Sequence, residues 1–297
     1  MITAATTGEA VACHYDELDP FYRGLWGEHV HHGLWQSGRE TSAQAVEALS
    51  RHVALRAGIN GGERVCDVGC GYGGTARLLA REHGARVTGV TISRKQYEGA
   101  LAHGGDNPAF ILGDWLENRL PDGSFEAVIA IESTEHLPDV ARGIREMARV
   151  LVPGGRLVIC AWMAGPAPKA WERKHLLEPI CREGCLVGMG DETDYRRWIS
   201  AAGLTMEHVD DLSRKVRRTW PICIRRTLVS FFRDAETRRF LLSNHERNRV
   251  FALTLLRIWL AYLTGAMRYV VFTAVKPERD RPPGSLDRPC PAQAAIS

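Results

Sequence analysis

Apolar runs of strand length alternate with apolar positions at helix spacing from about residue 63 to residue 275. Glu63 to Val68 leads into a glycine-dense turn, and Thr75-Ala76-Arg77-Leu78-Leu79-Ala80 beyond it has helical periodicity, which predicts a strand over 63–68 and a helix over 73–83. Ala85 to Ile92 predicts a second strand, with Ser93 capping a helix that begins at Arg94. Ala109 to Leu112 predicts a third, ending at Gly113-Asp114-Trp115. After the turn Pro121-Asp122-Gly123-Ser124, Phe125 to Ile131 is a nearly unbroken apolar run, and such a strand needs cover on both faces. Val140 to Leu151 predicts a helix closed by Pro153-Gly154-Gly155, followed by a fifth strand over 156–162. A helix over 42–57 precedes the first strand, and a short helix over 194–202 with strands over 204–209 and 268–275 completes the set.

This alternation predicts an α/β fold: a Rossmann-like, doubly wound, seven-stranded and mostly parallel sheet with helices on both faces. Two stretches interrupt it. Residues 164–193 are punctuated by Gly165, Pro166, Pro168 and Pro179, and residues 214–263 show helical periodicity over a length beyond an ordinary crossover. Both are expected to be cap insertions. Residues 1–12 are expected to be mobile, and His14 to Trp35 is dense in aromatic residues and histidines, which suggests a lid. The expected division is an N-terminal lid over 1–40, one domain over 41–277, and a disordered tail over 278–297 rich in proline.

Composition adds exclusions. A chain of 297 residues that is 45% hydrophobic can bury a sizeable core, and 38 basic against 35 acidic residues is too balanced to argue for nucleic acid as a partner. No apolar run reaches the roughly 18 residues of a membrane span, so no stable membrane insertion is expected. The first nine residues lack the basic and apolar regions of a signal peptide, which makes the cytoplasm the expected location. A homo-oligomer remains open. The eight cysteines include Cys66 and Cys70 at the glycine turn and Cys160 in an apolar strand; reduced thiols fit this better than disulfides, and no zinc spacing is present, so no metal site is expected.

Candidate chemistry starts at the glycine turn. Gly69, Gly71 and Gly74 match G-x-G-x-x-G, where a missing Cβ permits positive φ and lets a ligand approach the backbone. A dinucleotide enzyme would carry Asp or Glu at the end of the second strand, but Gly89-Val90-Thr91-Ile92-Ser93 has none. An NAD-dependent oxidoreductase therefore loses an expected contact and stands as a rival, beside a non-catalytic partner protein.

With Asp67 at the strand end, Asp67-x-Gly69-x-Gly71-x-Gly73 resembles class I methyltransferases, which implies S-adenosylmethionine as cofactor. The run 89–93 followed by Gln96 resembles the branch of sterol and tocopherol C-methyltransferases and cyclopropane fatty acid synthases. Trp26 to Gly33, Glu132 to Asp139 and Gly265-x-x-Arg268-Tyr269 extend the resemblance over most of residues 14–277. It implies that Thr91 and Gln96 take the ribose and methionine contacts, and that Asp114 accepts from the adenine amino group while Trp115 flanks the ring. Asp67, Gly69, Cys70, Gly71, Ile92, Gly113 and Glu132 would line the rest. It also implies in-line methyl transfer, with His136, Glu135, His31 and His32, in that order, as candidates for moving a proton.

Tyr15, Tyr22, Trp26, Trp35 and Trp220 are the candidate contacts to a hydrophobic acceptor, prenylated, terpenoid or aromatic, methylated on carbon in secondary metabolism; O- or N-methylation of a natural product is the alternative. Asp114 as a plain helix cap and His136 as an ordinary core histidine remain open beside these roles. Nine cationic residues between 214 and 239 could pair with an anionic group on the acceptor, meet an acidic membrane surface, or form a solvated face.

Overall fold

The computed structural model describes residues 2–3, 7–235, 238–239 and 246–278. A short strand β1 (Ile2–Thr3) and helices α1 (Gly8–Glu17), α2 (Asp19–Trp26) and α3 (Ser42–Ala57) lead into the alternating part. This runs β2 (Arg64–Val68), α4 (Gly74–His83), β3 (Arg86–Thr91), α5 (Arg94–Leu101), β4 (Ala109–Leu112), β5 (Phe125–Ile131), α6 (Val140–Val150) and β6 (Leu151–Ala164). Next come α7 (Ala170–Glu172), a π-helical stretch Arg173–Leu177, α8 (Glu178–Glu183), β7 (Gly188–Met189), α9 (Glu192–Ala201) and β8 (Thr205–Asp211). Helices α10 (Ser213–Val216), α11 (Thr219–Arg233) and α12 (Glu246–Thr264) and strand β9 (Met267–Val275) complete the description.

The expected seven-stranded, mostly parallel sheet is present, in the order β4-β3-β2-β5-β6-β9-β8, with β9 antiparallel to both of its neighbours. The unbroken apolar run of β5 is explained by its position. Ala127, Ile129 and Ile131 join one hydrophobic cluster, while Val128 and Ala130 join the other, so both faces are covered. Strand order reverses between β2 and β5, and the carboxyl ends of β2, β3, β4 and β5 converge there, the usual position for a ligand in an open α/β sheet.

Two local expectations are corrected. Pro153-Gly154-Gly155 does not separate helix from strand: β6 already starts at Leu151, and the register shifts between its pairs with Phe125 and Ala127, with Gly154 at φ +78°. The glycines let the strand bend without ending it. The N-terminus is organised before His14: Ile2–Thr3 pairs antiparallel with Gly188–Met189, and α1 starts at Gly8 behind a Thr7 cap. The stretches read as caps are helical, and from residue 279 onward the tail lies outside the described residues, as does the side chain of Phe21.

Candidate active site

β2 ends at Val68, and Gly69, Gly71 and Gly73 turn the chain at φ +77°, +56° and +77°. An L-residue at such a position costs about 1–2 kcal/mol. Two of these glycines have different surroundings. A Cβ on Gly69 would stand 2.4 Å from Cβ of Ser133, so the loop is pressed onto the end of β5, whereas a Cβ on Gly71 would meet nothing within 4 Å. Backbone N–H groups of Gly69 and Cys70 both donate to Val90 O, which leaves the Gly71 backbone facing open space.

That space is a cavity lined by Gly69, Gly71, Thr91, Ile92, Gln96, Gly113, Asp114, Trp115 and Glu132, bringing together nine of the eleven residues expected at the cofactor. Thr91 Oγ1 donates to Gln96 Oε1 at 2.9 Å, so the two side chains act as one unit. Asp114 caps the turn that follows, with Oδ1 accepting from Leu116 N at 2.8 Å, while Oδ2 faces Gly8, where a Cβ would approach to 3.0 Å. Trp115 is buried and donates to Gly143 O. Gly8 and Val11 of α1 also line the cavity and were missed, because no local pattern ties α1 to the sheet. The tie is Asp16, whose Oδ1 accepts from Ser93 Oγ at 2.5 Å and Lys95 N at 3.0 Å.

Asp67 and Cys70 line a smaller recess beneath the loop, with His29, His31 and Thr75. Asp67 Oδ2 is buried without a hydrogen-bond partner among the described residues, and burial pushes its carboxyl up to about 7. The Cys70 thiol is also pushed up by burial, and it packs so closely on Gly89 that a Cβ there would stand 2.8 Å from Sγ. Its side chain is packing.

A second cavity opens on the other side of Glu132. Tyr15, Tyr22, Trp26, Trp162 and Trp220 supply aromatic walls, and Ile180 of α8 with Leu255 and Ile258 of α12 close the far side. Tyr15, Val30, Glu132 and His136 line both cavities, so the two meet at these residues. Trp35 is a correction: it lines neither. It is buried elsewhere, with Nε1 donating to Thr219 Oγ1 at 3.3 Å and the Arg218 guanidinium 5.5 Å above its ring. Trp162 takes its place in the aromatic wall; it was read as part of a strand, and nothing local shows that it faces a cavity.

Glu132 organises the junction. It is a non-glycine residue at φ +53°, a conformation that persists only when its surroundings enforce it. Oε1 accepts from His32 N at 2.7 Å and Tyr269 OH at 2.9 Å and lies 3.0 Å from His32 Nδ1, while Oε2 accepts from Trp162 Nε1 at 2.8 Å. Burial raises its carboxyl, but His32 and His31 outweigh that and hold it below the usual carboxylate range. Trp220 Nε1 lies 2.8 Å from His32 Nε2, and an indole N–H can only donate. His32 Nε2 is therefore an acceptor, its Nδ1–H points at Glu132, and the ring has no lone pair left for a base.

The same bookkeeping ranks the other candidates. His136 Nδ1 is 3.1 Å from the Cys185 carbonyl, which can only accept, so Nδ1 carries the proton and Nε2 is the basic nitrogen. Tyr15 OH donates to that nitrogen at 2.9 Å, and burial lowers the imidazolium to about 4, so the ring is neutral over the ordinary range. Glu135 is pushed up to about 8 by burial, with one oxygen on Trp162 N and the other near Thr134 Oγ1. It is protonated at neutral pH. His31 Nδ1 faces its neighbour's carbonyl, and its Nε2 is occupied by His29 and Thr75. Among the described residues, no arginine or lysine lines the second cavity.

The Methyltransferase domain family matches residues 66–159. The chain is 33% identical over 240 residues to a probable chloroplastic tocopherol O-methyltransferase of Oryza sativa subsp. japonica, covering 74% of this chain and 66% of that protein. It is 32% identical over 269 residues to 27-O-demethylrifamycin SV methyltransferase of Amycolatopsis mediterranei (strain S699), covering 89% of this chain and 96% of the relative. Its fold matches the cyclopropane synthase MmaA2 from Mycobacterium tuberculosis at TM-score 0.80 and 20% identity, over 91% of this chain and 99% of that one.

Proposed function

This chain belongs to the S-adenosylmethionine-dependent methyltransferases, and we propose that it methylates a carbon atom of a mostly apolar small molecule held in the aromatic cavity. On this reading the glycine-loop cavity takes the cofactor. The fit rests on two features of the chain: the open backbone at Gly71, and the unpartnered, buried Asp67 Oδ2 in the recess that shares Gly69 and Gly71 with this cavity, which suits a ligand ammonium. The Thr91–Gln96 pair and Asp114 Oδ2 supply acceptors for hydroxyl and amino groups, and Trp115 supplies an apolar wall. Bound there, the cofactor supplies an electrophilic methyl group.

The observation that carries the carbon assignment is the junction itself: an ionised, buried Glu132 among aromatic rings, beside the uncharged base His136. Methylation of an alkene carbon leaves positive charge on the acceptor. The Glu132 carboxylate and the faces of Trp162 and Trp220 oppose that charge, each aromatic face by about 0.5–2 kcal/mol. The proton whose loss restores neutrality passes through Tyr15 OH, which gives its own proton to His136 Nε2 as it takes the one leaving the acceptor. His32, held by Trp220 and Glu132, positions the carboxylate. The described lining is mostly apolar and aromatic, with carboxyl groups at Glu132, Glu135 and Glu183, which suits an acceptor without an anionic group.

Oxygen methylation is the second reading, favoured by the name of the rice relative. His136 would then take the proton of a hydroxyl group by way of Tyr15 OH. The test is mass spectrometry and NMR of products formed from a metabolite extract and methyl-labelled cofactor. Label on carbon of an apolar, prenylated, terpenoid or aromatic molecule supports the proposal; label on oxygen turns it to the second reading, and a free sugar or nucleoside as acceptor contradicts the cavity argument.

A further inference from the structure

Helices α11 and α12 pack on one another, and they hold seven of the eleven large apolar side chains that are exposed among the described residues. Singly scattered exposed apolar residues need no explanation, but this concentration does. On α12 the exposed set is Leu253, Leu256, Leu260 and Leu263, a spacing that puts all four on one face. Its opposite face, with Leu255 and Ile258, lines the aromatic cavity. On α11 the exposed apolar residues are Leu228, Val229 and Phe232, with Phe232 at 76% exposure. Arg225, Arg226 and Arg233 are exposed between and beside them, and no acidic residue occurs from Thr219 to Arg233. Arg214, Lys215, Arg217 and Arg218 are exposed just ahead of α11.

We propose that the outward faces of α11 and α12 dock the protein peripherally onto an anionic lipid surface. Apolar side chains interleaved with arginines suit the boundary between acyl chains and anionic headgroups, where guanidinium groups reach phosphate while the leucines and phenylalanine enter the hydrocarbon. No helix of the described residues is long and apolar enough to cross a membrane, so the contact is interfacial. A second copy of the chain is the less favoured occupant. A symmetric contact through this patch would set its arginines against the same patch of the other copy, with no acidic residue on α11 to offset them. Docking here would set the helix that walls the aromatic cavity against the lipid, so an apolar acceptor could enter without first crossing water.

The test is cosedimentation of the full chain with vesicles of mixed phosphatidylglycerol and phosphatidylcholine, and with phosphatidylcholine alone. Binding to the anionic vesicles that falls at high salt is expected, with roughly tenfold or greater weakening in Arg225→Gln/Arg233→Gln. Phe232→Ser/Leu260→Ser should also lose vesicle binding while retaining S-adenosylhomocysteine affinity, which shows that the variant is folded. Absent binding, or equal binding to both vesicle types, overturns the proposal. So does a concentration-dependent dimer in sedimentation velocity that Phe232→Ser/Leu260→Ser dissolves while vesicles are ignored.

Discussion

The glycine-loop cavity and the aromatic cavity share a wall but are built in opposite ways. The first is made from short segments at the ends of adjacent strands, and its main devices are backbone: positive φ at Gly69 and Gly71, and N–H groups fixed on Val90. The second is made from side chains far apart in sequence. His32 alone meets Trp220 and Tyr262, 188 and 230 residues away, besides Trp162 and Tyr269. The first cavity can therefore be encoded by a short local pattern, whereas the second depends on how helices outside the sheet assemble. Glu132 belongs to both constructions, being a strand-end residue held by the distant aromatics.

Gly71→Val should break the first cavity and spare the second. S-adenosylhomocysteine binding is expected to fall more than about 100-fold, because the new side chain enters open space that the ligand needs, while the positive φ costs only about 1–2 kcal/mol of stability. Titration calorimetry with thermal denaturation measures both, and parental affinity would remove the loop from the cofactor site. Glu132→Gln should injure the second cavity: methyl transfer at saturating cofactor is expected to slow more than about tenfold and stability to fall by about 2 kcal/mol. Equal rates in the two proteins would remove the carboxylate from the charge argument.

Protonation sharpens the contrast. Asp67 stands at about 7 in the free protein, and a ligand ammonium favours its ionised form, so binding should release a proton. S-adenosylhomocysteine affinity should tighten as pH rises through 7, by up to about tenfold per pH unit, and Asp67→Asn should be weaker and flat. In the other cavity Glu135 runs the opposite way. Its folded value near 8 lies above the unfolded value, so its contribution to stability is full below about 4.5 and is lost as pH rises through 8. Glu135→Gln should accordingly gain stability relative to the parent at pH 9. The smallest effect is expected at Trp35→Phe: about 1 kcal/mol of stability for the lost bond to Thr219, with methyl transfer unchanged, since Trp35 lines neither cavity.

This contrast also decides what was legible in the sequence. Strands of the seven-stranded sheet were readable to within a residue or two at most ends because they are short apolar runs bounded by glycine and turn residues; β6 is the exception there, since Pro153-Gly154-Gly155 bends a strand in place of ending it. That Gly69, Gly71, Thr91, Gln96 and Asp114 line one cavity was legible because four of them end or follow a strand and Gln96 lies in the first turn of the helix after β3. The histidines were legible as a group with His136 placed first, but the hydrogen bonds that separate them were not: which nitrogen accepts depends on Trp220 for His32 and on Cys185 for His136, and neither contact leaves a local trace. The Tyr15–His136 pair spans 121 residues and was missed for the same reason.

The central claim is that His136 works on the acceptor side of a junction whose other side holds the cofactor. It is tested most directly by measuring S-adenosylhomocysteine affinity and single-turnover methyl transfer together in His136→Ala. The account predicts unchanged affinity with a rate about 10²–10⁴-fold lower, and in the parent an acid limb near pH 4, where the buried imidazole takes up its proton. Full activity of the variant from pH 6 to pH 9, or a loss of affinity that accounts for the loss of rate, would contradict it.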